Sequence, residues 1–321
     1  MKLLNILTIC TTAIAVCSFS GCKAQQKEQT PTVYFTSEIS PESLVRIYEA
    51  LGREADGKVA VKISTGEPGG NNFLQPSLIE PLVRRVGGTI VECNTAYGGK
   101  RSSTADHIQT AKDHGFTAIA PVDIMDADGQ MRIPVRDTFH IKYDIVGDHL
   151  KNYDFMINLA HFKGHAMGGF GGVLKNASIG VASADGKSYI HTAGAVDSVD
   201  KLWENLPEQD AFLESMAAAA QAVDDYFGDR ILYIAVANNL SVDCDCSSHP
   251  AAPQMGDLGI LASLDPVALD QAAVDMVYNS PDEGKVHLIE RIESRHGIHT
   301  IERAAAIGLG SRTYKLVNID K

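Results

Sequence analysis

Short apolar runs and longer amphipathic stretches alternate along the chain after residue 32. Apolar runs of about four to eight residues are typical of buried strands, whereas apolar positions spaced by three and four predict helices. The apolar runs predict strands at 33–36, 58–64, 89–95, 117–122, 139–146, 155–160, 231–237, 259–262 and 314–319. The amphipathic stretches predict helices that begin at Pro41 and Pro266, that span 78–86, 106–113 and 209–227, and that pass through Ile292 and Ala306.

This alternation predicts an α/β fold with mostly parallel sheets, flanking helices and two interleaved lobes around a cleft. In such sheets, ligands bind at the loops that follow the carboxyl ends of the strands. Loops 65–72, 94–103 and 161–180 each follow a predicted strand. We therefore expect these three loops to gather around one site.

The first residues have the composition of an export signal. Lys2 precedes an apolar run that ends in small residues and a cysteine. Residues 20–22 resemble the bacterial lipobox, in which cleavage before the cysteine accompanies its lipidation. An ordinary signal peptide cleaved nearby is the alternative. The lipobox interpretation divides the chain into a signal peptide (1–21), a lipoprotein tether (22–32) and one α/β domain (33–321).

Charge and hydropathy indicate which kinds of partner the protein can bind. The formal net charge is -12, and removal of the predicted signal leaves 27 basic and 40 acidic residues. Such an acidic chain disfavours nucleic acid as a partner. No later apolar run is long enough to span a bilayer, so the predicted membrane contact is lipidation of Cys22. We expect a lipid-anchored protein of the bacterial cell envelope, on the periplasm-facing side of the outer membrane.

Residues 161–180 carry the strongest candidate chemistry. Four glycines between 168 and 172 would weaken a regular helix or strand, so the backbone there is expected to take positive φ or to approach another group closely. His165 and Lys175 lie in this loop and His191 follows it. Imidazoles move protons or bind metals near neutral pH, and a lysine screened from water can act as a nucleophile. Ion pairing by Lys175 and capping by the histidines are the structural alternatives.

Three cysteines remain after the predicted signal and Cys22. Cys93 stands alone, while Cys244 and Cys246 form a Cys-x-Cys pair. Thiolates could bind zinc, copper(I) or an iron–sulfur centre, but two thiols could equally form a disulfide, or all three could be inert. Repeated Cys-x2-Cys groups are missing from the sequence, which argues against a low-potential ferredoxin domain.

Two further motifs have structural alternatives. Loop 65–72 is rich in glycine and asparagine and could cradle an anion or form an ordinary turn between strand and helix. His296 and His299 follow a stretch with solvated charges, and we interpret them as part of a helix C-terminal turn rather than as a metal site.

The chain resembles the bacterial and archaeal "domain of unknown function 362" family, often labelled as iron–sulfur-centre proteins. The resemblance covers nearly all of the chain after the signal. It implies an α/β fold and an iron–sulfur centre, which here would depend on Cys93, Cys244 and Cys246. The matching segments are residues 92–99, 161–165, 171–176, 243–246 and 258–270.

A more distant resemblance links the glycine-rich loop to the lactate racemase family. In that family a lysine carries a covalently attached nickel pincer nucleotide, a histidine ten residues earlier is catalytic, and one sixteen residues later binds nickel. His165, Lys175 and His191 have this spacing. The resemblance implies that Lys175 attaches the cofactor beside Gly171, Gly172 and Asn176. The chain lacks the second catalytic histidine of the racemases and has Tyr97 to Arg101 there.

Together these features predict an envelope lipoprotein that acts as a metal- or cofactor-dependent enzyme, of redox or isomerase type. Its substrate is expected to be a small anionic molecule whose carboxylate or phosphate is held by Lys163 and Arg101. The candidate cofactors are a metal ion, an iron–sulfur cluster and, less favoured, the nickel pincer nucleotide. The alternative is a non-catalytic lipoprotein that captures a metal or a small ligand.

Overall fold

The computed structural model describes residues 30–320. The predicted signal peptide, Cys22 and most of the tether lie outside these residues. Within them, no helix has both the length and the apolar character needed to cross a membrane.

The described residues fold into alternating strands and helices. The strands are β1 (Thr32–Thr36), β2 (Val59–Lys62), β3 (Thr89–Glu92), β4 (Val122–Ile124), β5 (Gln130–Pro134), β6 (Tyr143–Gly147), β7 (Phe155–His161), β8 (Lys163–His165), β9 (Gly169–Gly171), β10 (Ile231–Ala237), β11 (Gly259–Ser263) and β12 (Lys315–Asn318). The α-helices are α1 (Pro41–Ala50), α2 (Pro76–Arg85), α3 (Thr104–Asp113), α4 (Phe116–Ile119), α5 (Val173–Ala177), α6 (Ala184–His191), α7 (Gln209–Phe227), α8 (Pro266–Asn279), α9 (Lys285–Ser294) and α10 (Ile298–Ala306).

One eight-stranded sheet organises the fold, in the order β12-β1-β11-β10-β7-β2-β3-β4. Strand β11 runs antiparallel to β1 and β10, whereas the other neighbouring pairs of this sheet are parallel. The predicted α/β architecture with a mostly parallel sheet and flanking helices is confirmed. Because β2, β3, β7 and β10 are parallel, the loops that follow them emerge at one edge of the sheet.

Successive residues of the central strands belong to two different apolar clusters. In β2, Ala60 packs in one cluster and Val61 in the other, as expected when side chains alternate across a sheet. The first cluster includes α7 and α8, and the second includes α1 and α2. Helices therefore cover both faces of the sheet, which explains why its central strands are apolar without alternation.

The predicted helix starts at proline are confirmed. Ser40 caps α1 in a capping box and Pro41 occupies its first turn. Asp265 caps α8 by accepting a hydrogen bond from the Ala268 N–H, followed by Pro266. These ends could be predicted because both signals are local in sequence.

Two predicted strands are wrong in position. Residues 117–122 form most of the short helix α4 and only the first residue of β4, because Phe116 is buried at the start of a helical turn. In the predicted strand 139–146, extended pairing starts only at Tyr143, and Phe139 is exposed instead of facing the core. A short apolar run does not distinguish these outcomes without its tertiary partners.

Asp144 on β6 predicts a pH-dependent stability. Its side chain is completely buried and neither carboxylate oxygen has a hydrogen-bond partner. Burial raises the pKa of Asp144 to about 7. The folded protein thus binds more protons than the unfolded chain between roughly pH 4 and 7, so its stability falls as pH rises through this window. Asp144→Asn removes the charge and is expected to raise the unfolding midpoint at pH 8 by a few degrees (~4–8 °C), measured by circular dichroism.

The matched control is Asp200→Asn, because Asp200 is exposed. The wild-type protein and the control should lose stability between pH 5 and pH 8, in parallel. Asp144→Asn should lose less, although Asp270, whose pKa burial also raises to about 7, still contributes in this way. Parallel curves for all three proteins would contradict the role of Asp144.

Candidate functional site

A cavity of about 420 Å³ lies at the carboxyl ends of β2, β3, β7 and β10. Its wall is formed by residues of three segments, 92–101, 160–180 and 243–247, together with Lys62, Lys187 and His191. Two of these segments overlap the loops that sequence analysis placed at this edge of the sheet.

The structure brings all predicted site residues of the α/β domain to this one cavity. They are Cys93, Arg101, Lys163, His165, Gly171, Gly172, Lys175, Asn176, His191, Cys244 and Cys246. The third predicted segment, loop 65–72, lies behind the wall: the Glu67 N–H donates to the Asp245 carbonyl at 2.8 Å. Gly69 in the same loop has φ of 95° and packs on the Ser248 carbonyl. Loop 65–72 therefore supports the cavity wall, as expected if it forms an ordinary turn between strand and helix.

Basic side chains dominate the cavity. Five basic residues line it against three acidic ones, in a chain of net charge -12. Lys62 and Arg101 both pair with Glu92, with nitrogen–oxygen distances of 3.2 Å. Lys187 donates to the Ala182 carbonyl at 2.6 Å. The cavity thus concentrates positive charge within an acidic protein.

Glu92 anchors the floor of the cavity. It also accepts from the Thr65 N–H at 2.7 Å. Burial alone would raise its pKa, but Lys62, His107 and Arg101 hold the pKa of Glu92 well below its usual range. Arg101 also pairs with Glu67 at 3.3 Å, so two carboxylates compensate the charges of Lys62 and Arg101 within the protein.

Asp245 anchors the opposite wall in the same way. It lies between Cys244 and Cys246, and its carboxylate accepts from Lys163 Nζ and from His161 Nδ1, each at 2.8 Å. The second ring nitrogen of His161 lies 2.6 Å from the Asn238 carbonyl, so both ring nitrogens contact oxygen atoms. Burial opposes the charge, but His161 and Lys163 hold the pKa of Asp245 well below its usual range.

Lys175 differs from the other basic residues of the cavity. Its amine makes no hydrogen bond or ion pair with any group of residues 30–320 and is partly exposed to the cavity. Burial, together with the positive charges of Lys163 and Lys62, lowers the pKa of Lys175 to about 7. A substantial fraction of this amine is thus neutral near pH 7 and available as a nucleophile or base.

The position of Lys175 depends on a capped helix. Lys175 lies on α5, whose first amides, Val173 N–H and Leu174 N–H, donate to the buried Asp270 carboxylate at 2.8 and 2.9 Å. Gly172 precedes the helix because a Cβ there would collide with that carboxylate. Asp270 therefore holds the helix that presents Lys175.

The hydrogen bonds of His165 define its tautomer. Its Nδ1 accepts from the backbone N–H groups of Met167 at 3.2 Å and Gly168 at 2.8 Å. The neutral ring consequently carries its proton on Nε2. Burial, with the charge of Lys175, lowers the pKa of His165 well below its usual range. His165 is thus a neutral hydrogen-bond donor, a role that suits stabilisation of a developing negative charge.

His191 has the opposite tautomer. Its Nδ1 lies 2.7 Å from the Lys187 carbonyl and must donate to it, so Nε2 carries the free lone pair. The ring stacks on Phe212 with centroids 4.7 Å apart. Burial, with the charge of Lys175, lowers the pKa of His191 to about 4. His191 is therefore a neutral proton acceptor or metal ligand near pH 7.

Cys244 and Cys246 are joined by a disulfide. Cys93 is buried, donates to the Val181 carbonyl at 3.2 Å, and burial raises the pKa of its thiol. A ring nitrogen of His165 and the two bonded sulfurs lie within 4.8 Å of one another, whereas Cys93 is not in this group. In this disulfide form the donor set does not fit an iron–sulfur cluster, which requires free thiolates.

His296 and His299 lie away from the cavity lining. His296 connects α9 to α10 with a positive φ of 51°, and His299 belongs to α10. His296 Nδ1 contacts the Asp210 carboxylate at 2.6 Å, and these three residues have possible ligand atoms within 4.8 Å. The connection between helices agrees with the predicted turn, although Asp210 was not part of that prediction.

Sequence reasoning missed the buried polar residues that fix this site. They are Lys62, Glu92, Asp245 and Asp270. Glu92 and Asp245 were adjacent to the candidate cysteines, which is a signal that could have identified them. Trp203 also lines the cavity, although it is 57% exposed and lies outside every motif.

Comparisons with known proteins place this site within a family. A family model described as "Domain of unknown function (DUF362)" matches residues 59–275, which contain the whole cavity lining. No curated protein sequence matches the chain.

Two solved structures illustrate the structural likeness. The lactate racemase apoprotein from Thermoanaerobacterium thermosaccharolyticum is 13% identical, with a TM-score of 0.36, over 63% of this chain and 50% of that one. A structural genomics target from Thermotoga maritima is 10% identical, with a TM-score of 0.41, over 83% of this chain and 58% of that one. This chain thus spans about half the length of these two proteins.

Proposed function

Because the chain belongs to the DUF362 family, a domain of unknown function, its chemistry has to be inferred from the cavity, and we propose that it is an enzyme acting on a small anionic substrate. One observation carries the proposal. Lys175, with an amine free of internal partners and a pKa lowered to about 7, faces a cavity with excess positive charge. We propose that the protein acts in the bacterial envelope, a location supported only by the sequence of residues 1–22.

The charges of the cavity support an anionic substrate. The carboxylates of Glu92 and Glu67 compensate the two cations of Lys62 and Arg101. Asp245 pairs with Lys163 and His161. Lys175 has no carboxylate partner, and Lys187 donates a hydrogen bond to the Ala182 carbonyl. A carboxylate or phosphate group of the substrate would offset the remaining positive charge, and Lys163 and Arg101 line the same cavity.

The three groups around the substrate have complementary roles. The neutral fraction of Lys175 supplies an amine that attacks a carbonyl carbon or removes a proton. His165 donates its Nε2 proton in a hydrogen bond to a substrate oxygen and stabilises charge that develops there. His191 accepts a proton at Nε2, because Nδ1 is committed to the Lys187 carbonyl.

Lys175 and His191 also fit a metal-bearing group. The free amine of Lys175 offers an attachment point and the bare Nε2 of His191 offers a ligand, both on the cavity wall. Such a group would supply Lewis-acid or redox chemistry when bound. In that case Lys175 and His191 hold the group, while His165 still orients the substrate oxygen.

The proposal is tested with inorganic phosphate, oxalate and pyruvate as probes. Calorimetry should show that Lys175→Met weakens binding at least about tenfold, because a charge is lost from a water-poor site. Lys175→Arg should still bind the three probes, because it keeps the positive charge. It should not turn over pyruvate, as monitored by proton NMR, because a guanidinium is not a nucleophile.

Lys112→Met provides the control, because Lys112 is exposed on α3. It should bind all three probes like the wild-type protein. If Lys175→Met and Lys112→Met bind equally well, Lys175 does not hold the anion. Binding that depends on Lys175 without any chemistry would instead identify a capture protein.

A further inference from the structure

The Cys244–Cys246 disulfide has little to contribute as a structural crosslink. It joins residues only two positions apart. A crosslink stabilises a protein chiefly by restricting the unfolded chain, and this effect grows with the length of the closed loop. A three-residue loop gains little, and the bond connects no separate segments. Its presence therefore needs another explanation.

The position of the disulfide supplies that explanation. Both cysteines line the cavity, where a small molecule can reach them. Cys244 is 5% exposed, whereas Cys246 is more accessible. A partly exposed cysteine in a basic cavity is the arrangement found at reactive cysteines, since nearby positive charge stabilises thiolate.

The intervening carboxylate does not oppose this chemistry. Asp245 would repel a thiolate if its charge were free, but it is held between Lys163 and His161. A ring nitrogen of His165 lies within 4.8 Å of both sulfurs. Because Nδ1 of His165 accepts backbone hydrogen bonds, its Nε2–H is the donor available to a departing thiolate.

We infer that Cys244–Cys246 is a redox-active disulfide that exchanges with a small anionic thiol entering the cavity. The thiolate of the first molecule attacks the Cys246 sulfur, forms a mixed disulfide and releases the Cys244 thiolate. A second thiolate attacks the thiol-derived sulfur of that mixed disulfide and releases the Cys246 thiolate. The two protein thiolates take up the two protons, so that one protein disulfide and two thiols yield one protein dithiol and one small disulfide.

Charge selectivity distinguishes this exchange from reduction of an inert crosslink. The folded protein is treated with mercaptoacetate, 2-mercaptoethanol or cysteamine, and new protein thiols are counted with a chromogenic disulfide. After correction for the thiolate fraction of each reagent, mercaptoacetate should react at least about tenfold faster than cysteamine. Equal rates, or reduction only after unfolding in guanidinium, would overturn the inference.

Single-cysteine variants test which sulfur is attacked. Cys244→Ser and Cys246→Ser are incubated with the symmetrical disulfide of mercaptoacetate, and the adduct is located by peptide mass mapping. The adduct should form faster on Cys246 than on Cys244, because Cys246 is the more exposed. The reverse order would contradict the assigned step.

Thiol exchange uses the same cavity as the proposed function but does not depend on the amine of Lys175. Phosphate binding measured on the same oxidised protein separates the two. If phosphate binds while the disulfide resists all three thiols, only the exchange is refuted. If thiols exchange with charge selectivity but Lys175→Met alters neither binding nor turnover, only the role of Lys175 is refuted.

Discussion

At pH 7, trinitrobenzenesulfonate is expected to label Lys175 before the exposed lysines of the protein. An ordinary lysine has a pKa near 10.4, whereas burial and neighbouring charges lower the pKa of Lys175 to about 7. The fraction of neutral amine is then roughly a thousandfold larger at pH 7. Lower basicity offsets part of this gain, and we expect a rate at least about tenfold above that of exposed lysines. Peptide mapping after partial reaction measures this ratio.

The pH profile provides the internal check. The rate of labelling at Lys175 should rise with pH and reach half of its plateau near pH 7, because only the deprotonated amine reacts. Lys112, which is exposed on α3, reports the behaviour of a surface amine in the same digest. Labelling of both lysines in parallel across the pH range would show that Lys175 is not activated.

Asp270→Ala is expected to lower the free energy of unfolding by roughly 2–4 kcal/mol, because two buried N–H donors lose their acceptor. The carboxylate accepts from the first amides of α5 across 96 and 97 positions of the chain. Urea denaturation at pH 8 measures the loss. Since α5 carries Lys175, the same variant should slow the labelling of Lys175 by trinitrobenzenesulfonate at pH 7.

A surface control and a second destabilising variant test the contact between Asp270 and α5. Glu290→Ala removes an exposed carboxylate on α9 and should change the free energy of unfolding by less than about 0.5 kcal/mol. Gly172→Ala places a methyl group against the Asp270 carboxylate and should destabilise the same contact from the other side. If Asp270→Ala and Glu290→Ala were equally stable, Asp270 would not cap α5.

The parts of the fold that the sequence predicted correctly are those set by local signals. The apolar runs of β7 and β10 are long enough to be assigned without knowledge of their partners. Ser40 and Asp265 mark helix starts through contacts within three residues. The strand predicted at residues 117–122 was wrong, because a short apolar run suits a buried helical turn and a strand equally well.

The candidate site could be predicted only in part. The predicted parallel strands placed loops 94–103 and 161–180 at one edge of the sheet, so Arg101, His165 and Lys175 could be grouped before any distance was known. Only the structure placed Cys244 in the same cavity. The choice between thiol, metal ligand and disulfide for the cysteines could not be made, because that choice depends on which side chains meet.

By itself the sequence determined the class of fold, the edge of the sheet that bears the site, and some of the residues that gather there. Only the tertiary structure decided what each residue can do. Hydrogen bonds to Gly168 and to Lys187 give His165 and His191 opposite tautomers. The carboxylates of Glu92 and Asp245 compensate neighbouring cations, whereas Lys175 has no such partner. Protonation depends on solvent and on contacts between distant segments, and neither is encoded in a local pattern of residues.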